Sequence, residues 1–93
     1  MIRTFEEFAN QCKKLNDQML STGARNKAFI IEVHGTEIFF SPQESGKRRL
    51  VNREETEEVL SLLEKSKDWS PGQYKHISCH ASYILAVAKS ASA

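Results

Sequence analysis

The chain has 93 residues, 40% of them apolar and 27% charged, with a formal net charge of +1. That length supports one domain over residues 1–93 with its own hydrophobic core, and the composition excludes the disordered, fibrous and membrane classes. No apolar run approaches the ~18 residues that span a bilayer, and "MIRTFEEFANQ" carries Glu6 and Glu7 where a signal peptide needs an unbroken apolar stretch. No membrane partner and a cytoplasmic location are therefore expected.

"TFEEFANQCKKLNDQML" opens with Thr4 as N-cap and Glu7 three residues on, a capping box in which each side chain satisfies a free backbone N–H of the other. The helix starts near Phe5. Phe5, Phe8, Cys12, Leu15 and Met19 fall on one stripe at alternating steps of three and four, so a core-facing helix is predicted to run on until Gly23 stops it. "NKAFIIEVHGTEIFF" then reads as a β-hairpin around Gly35 and Thr36, pairing His34 with Glu37 and Glu32 with Phe39. The alternative register sets Glu32 against Glu37, a like-charge pair. In the chosen register Phe29, Ile31 and Val33 share a face with Ile38 and Phe40. The reverse face, with Ala28, Ile30, Phe39, Glu32 and His34, is only half polar and is suited to a covering helix or a second copy of the chain.

"SPQESG" (41–46) is a loop by composition, and "KRRLV" a third antiparallel strand. "NREETEEVLSLLEKS" offers Asn52 as N-cap, acids in the first turn, and Val59, Leu60, Leu62 and Leu63 as the buried side. "DWSPGQY" is a turn pinned by Trp69 and Tyr74. In "HISCHASYI" (76–84), Ser78 is the predicted N-cap of a last helix that buries Ala81, Ile84, Leu85 and Ala88, with a frayed tail after Lys89 at 90–93. The expected fold is α+β: a three-stranded antiparallel sheet with an N-terminal helix and two C-terminal helices, in the order α-β-β-β-α-α.

Cys12 and Cys79 have no CxxC spacing, and both are expected as reduced thiols. With Ser78 as cap, Cys79 and His80 fall in the first helical turn while His76 lies outside it. The three are a candidate reactive or ligand cluster, yet they share no helical face. Structural zinc takes a full tetrahedral set of Cys and His, which this chain does not space correctly, so neither metal nor cofactor is expected. A thiolate nucleophile would also need an oxyanion site and an orienting partner for its histidine. A half-buried Cys at a helix start is the simpler reading, and no enzymatic activity is expected.

Charge is uneven along the chain. "GKRRLVNR" (46–53) holds Lys47, Arg48, Arg49 and Arg53 with no acid, and "EETEEVLSLLE" (54–64) holds five acids with no base. "ESGKRR" lacks the pattern of a phosphate-binding P-loop, because Arg48 follows the lysine. The basic strand, joined by Arg25 and Lys27 at the start of the first hairpin strand, is the candidate surface for nucleic-acid phosphates or for a partner's carboxylates. Long basic side chains on an edge strand also deter edge-to-edge aggregation.

The order helix, three strands, helix is similar to that of double-stranded-RNA-binding domains. That family carries a Lys-rich start to its last helix, whereas this chain places Glu54, Glu55, Glu57 and Glu58 there, which opposes the family's mode of binding. "FFSPQESGKRRLVNREETEEVLSLLEKSKDWSPGQYKHISCHASYI" (39–84) resembles small uncharacterised bacterial domains carried on mobile elements, including integron gene cassettes and restriction-associated proteins. This resemblance implies a bacterial accessory protein and transfers no catalytic residue. The favoured function is a non-catalytic binding module with nucleic acid as first candidate ligand. The alternative is a homodimeric or adaptor module, in which the basic strand of one copy meets the acidic helix of another copy or of an unknown protein.

Overall fold

In the computed structural model, which describes residues 2–23, 25–44 and 46–92, helix α1 (Phe5–Lys14) begins at the predicted capping box. Thr4 Oγ1 accepts the Glu7 N–H and Glu7 Oε1 accepts the Thr4 N–H, each at 3.2 Å. The N–H groups of Arg3 and Thr4 on that carboxylate hold Glu7 below the usual carboxylate pKa. The helix ends well before Gly23. Leu15 is its C-cap, Asp17 takes a left-handed φ of 64°, and the Asp17 N–H donates to Ile31 O at 2.7 Å. Asn16 Oδ1 also accepts the Val33 N–H at 2.9 Å, so an open strand edge captures the chain as it leaves the helix. An unpaired edge is a row of unmet donors and acceptors, and satisfying it outweighs one more helical turn.

The consequence is an additional strand. Among the described residues the sheet has four strands in the order β1 (Met19–Ser21), β2 (Ala28–His34), β3 (Glu37–Pro42) and β4 (Arg49–Leu50), every adjacent pair antiparallel. The expected count of three misses β1, which lies where the apolar stripe of α1 continues in sequence to Met19; Met19 sits on this strand and is 60% exposed. The β2–β3 register is the predicted one, with His34 opposite Glu37, Glu32 opposite Phe39, and Gly35 at φ 64° in the turn. The third expected strand shortens to the two residues of β4, opposite Phe39 and Phe40. Ser41 and Pro42, expected in the loop, complete β3; Ser45 of that loop lies outside the described residues.

Helix α2 (Arg53–Ser66) starts as expected, with Asn52 Oδ1 accepting the Glu55 N–H at 2.9 Å, and ends at Lys67, whose φ is 58°. A 3-10 turn, Pro71–Tyr74, then seats Tyr74 in the core, its hydroxyl donating to Asp68 O. Helix α3 (Ala81–Ser92) begins later than predicted. The Ser78 N–H is still tied to Tyr74 O at 3.0 Å, and Ser78 Oγ accepts the His80 N–H at 3.0 Å, so Cys79 and His80 form a turn ahead of the helix. At its far end α3 runs past Lys89, where Ser90 Oγ accepts from Gln11 Nε2 at 3.1 Å; Ala93 lies outside the described residues.

All three helices pack on one sheet face. Phe8 and Cys12 of α1, Val59, Leu60 and Leu63 of α2, and Ile84, Leu85, Val87 and Ala88 of α3 close over Phe29, Ile31, Ile38 and Phe40. The opposite face carries Ile30, Glu32, His34 and Phe39, with Met19 and Leu50 at 60% and 53% exposure. Among the described residues no helix is long and apolar enough to cross a membrane. Phe40→Ala is expected to cost about 3–5 kcal/mol by urea unfolding, and Leu50→Ala, on the open face, less than about 0.5 kcal/mol. Equal losses would contradict this division of faces.

Candidate functional site

The basic stretch does not form one surface, because β-strand side chains alternate between faces. Arg48 lies on the open side, with Nη1 3.6 Å from Glu32 Oε1 and Cζ 4.6 Å from the Phe39 ring centroid. Arg49, opposite Phe40, turns to the helical side. Arg53 is committed to α1 and α2: its Nη2 donates to Glu6 Oε1 at 2.8 Å, its Nε is 3.6 Å from Glu57 Oε1, and its guanidinium lies over Phe5. Lys47 is exposed on the approach to β4. Three of the six expected cations nevertheless meet again on the helical side of the sheet. They are Arg25, Lys27 and Arg49, and Lys75 joins them.

Their meeting place is built from short-range geometry. The β1–β2 connection is closed by a reciprocal pair, the Thr22 N–H donating to Lys27 O at 2.9 Å and the Lys27 N–H to Thr22 Oγ1 at 3.1 Å, with Asn26 at a left-handed φ of 52°. The clamp holds Arg25 and Lys27 over the start of α3. Across from them the Pro71–Tyr74 turn presents Lys75, and the α3 entry presents Cys79, Ser82 and Tyr83 around a cleft of ≈ 410 Å³. A smaller hollow of ≈ 110 Å³ shares Lys27 and Tyr83 and is completed by Arg49 and Glu44. Glu44 is the one carboxylate among the described residues lining either hollow, and it sits 3.0 Å from Lys27 Nζ. Among the described residues Arg49 Nε is buried with no hydrogen-bond partner, an unmet donor whose desolvation costs about 1–3 kcal/mol.

The Cys/His cluster separates. Among the described residues no three His, Cys, Asp or Glu side chains are grouped so as to hold a metal. His76 is exposed, whereas His80 is half-buried beside Tyr83, its ring centroid 6.5 Å away. Burial holds His80 below the ordinary imidazole pKa, the Arg49 charge lowers it further, and Glu55 opposes both. Cys79 is exposed on the cleft wall. Cys12 is sealed in the core, where burial pushes its thiol up to about 12.

A third depression, ≈ 470 Å³, lies between α1, the hairpin turn and β4, with Phe5, Val33, Ile38 and Val51 in its walls. Its charges are balanced, Glu6 and Glu37 against Lys13 and Arg53, so it has no net preference for an anion. Lys75, Tyr83, Ser82 and Glu44 are not visible as site residues in the sequence. Strand alternation does signal that Arg48 and Arg49 part company, and the Pro71-Gly72 turn signals that Lys75 is presented outward. No family model, curated protein or solved structure matches this chain.

Two outcomes follow from these environments. In the native protein one thiol, Cys79, is expected to alkylate rapidly while Cys12 reacts only after unfolding, as mass spectrometry of iodoacetamide-treated protein would show; modification of Cys12 under native conditions would contradict its burial. A His80 pKa lower in the folded than in the unfolded state means the unfolded chain binds the proton more readily, so this group's contribution is present above the unfolded value and is lost as pH falls through the folded one. His80→Gln is therefore expected to show a smaller drop in urea midpoint than the parent between about pH 7.5 and 5.5. An equal drop would assign the acid sensitivity to other groups.

Proposed function

We propose that the chain is a small non-catalytic binding module whose ligand is a nucleic acid held through its phosphates. The observation that carries this reading is the convergence of Arg25, Lys27, Lys75 and Arg49 on adjoining hollows around Tyr83, opposed there by Glu44 alone among the described lining residues. A concave, cation-lined site focuses potential and attracts anions even when the whole chain is nearly neutral. Arg49, half-buried on the wall of the smaller hollow, adds a guanidinium charge there. Tyr83, packed 4.9 Å from Phe29 and 5.5 Å from Phe40 by ring centroid, gives the site a rigid aromatic wall against which a base can lie.

A second reading, a homodimeric interaction module, is favoured by a different observation, the open sheet face with Met19 and Leu50 exposed beside Ile30 and Phe39. Sedimentation equilibrium separates the two, since a dimer that persists without nucleic acid and dissociates on Leu50→Glu would support the second.

The test of the first reading is fluorescence anisotropy of labelled single-stranded and duplex DNA and RNA across a salt series. Four cations in contact with phosphates of a single strand give a log–log slope of about −2 to −3. Lys27→Ala combined with Lys75→Ala is expected to weaken binding about tenfold or more and to flatten the slope by about 1 to 1.5, while Arg48→Ala with Arg53→Ala changes neither. The opposite ranking would move the site to Arg48 and Arg53, and no binding at low salt would end the nucleic-acid reading.

A further inference from the structure

We infer that the cleft at the start of α3 receives a terminal phosphate, the phosphomonoester that ends a nucleotide chain, in preference to the internal phosphodiesters of a duplex. The inference rests on the polyanion reading above and narrows its ligand. Duplex phosphates repeat along a rod and are met by cations spread over a face. Here Arg25, Lys27 and Lys75 are instead gathered at one concavity of ≈ 410 Å³, within the ~300–1,000 Å³ range of sites that enclose a small ligand. Of the basic residues beside β4, Arg48 lies near Glu32 and Arg53 is bonded to Glu6.

Charge selects among the phosphates. A monoester carries about −1.5 to −2 at neutral pH, and an internal diester about −1, so a pocket with three cations discriminates most strongly in favour of the end group. The same cleft holds the Ser82 hydroxyl in the first turn of α3, an end of a helix that favours negative charge. The nucleotide that follows the end group has a continuation, because the smaller hollow adjoins at Lys27 and Tyr83 and is lined by Arg49. Glu44, 3.0 Å from Lys27 Nζ, competes with any anion for that lysine.

The test uses the full chain and single-stranded oligonucleotides of one sequence, labelled internally and ending in a 5′-phosphate, a 3′-phosphate or hydroxyls only. One phosphorylated end is expected to bind about tenfold tighter than the hydroxyl strand, a difference that Lys75→Ala removes and Glu44→Gln enlarges. Nucleoside monophosphate and inorganic phosphate serve as competitors. Displacement by the mononucleotide at concentrations similar to the strand supports the site and assigns it to free nucleotides; displacement only at far higher concentrations supports it and assigns it to strand ends. Equal affinity for all three strands would overturn the terminal-phosphate inference while leaving nucleic-acid binding in place. A phosphate preference untouched by both Lys75→Ala and Glu44→Gln would overturn the placement in this cleft, and absence of binding by every strand and nucleotide would overturn both.

Discussion

The Phe40 ring meets three others, Phe29 across the β2–β3 pair at 5.7 Å, Phe8 of α1 at 6.4 Å and Tyr83 of α3 at 5.5 Å between centroids. Phe8 and Phe29 both stand nearly perpendicular to it, the edge-to-face arrangement that aromatic quadrupoles prefer. This cluster binds the first and last helices to one face of the sheet, and everything at the α3 entry is positioned through it. Tyr83 has its ring fixed by Phe29 and Phe40 and borders both hollows. Arg49, opposite Phe40 in the sheet, arrives at the same place from the strand side. The aromatic core and the cationic cleft therefore share a wall.

Charge is arranged by the same geometry. The run of cations in the sequence divides in space: Arg48 and Arg53 lie against carboxylates and aromatic rings, and Arg49 faces a hollow. Exposed ion pairs such as Arg53 with Glu6 and Glu57 add little to stability, and their main effect is to neutralise the cation locally. Arg25, Lys75 and Arg49 make no ion pair within 4.0 Å among the described residues. The buried Arg49 Nε, without a partner among the described residues, is unfavourable for folding.

Much of the fold is legible along the chain where local chemistry is decisive. Thr4 and Asn52 fix two helix starts through side-chain caps, and the repulsion between Glu32 and Glu37 selects the hairpin register. Elements set by distant partners are not legible in that way. The helical stripe of α1 extends on paper to Met19, but the backbone there is claimed by the edge of β2 through Asp17 and Asn16. Ser78 has the chemistry of a helix cap and spends it on a turn, because its own N–H is held by Tyr74. At the site, Arg25, Lys27 and Arg49 are recognisable as cations, whereas Lys75, Ser82 and Tyr83 gain their meaning only when the 3-10 turn and α3 fold back beside the β1–β2 connection.

The most direct measurement is a set of ¹⁵N–¹H NMR spectra recorded while a 5′- or 3′-phosphorylated single-stranded oligonucleotide is titrated into the protein at low salt. Binding at the α3 entry predicts saturable shifts concentrated on the amides of Arg25, Lys27, Lys75, Cys79, Ser82 and Tyr83, with Met19, Glu32, Phe39 and Leu50 on the open face unmoved. Shifts concentrated on the open face, or none at all, would contradict the placement of the binding site at the cleft.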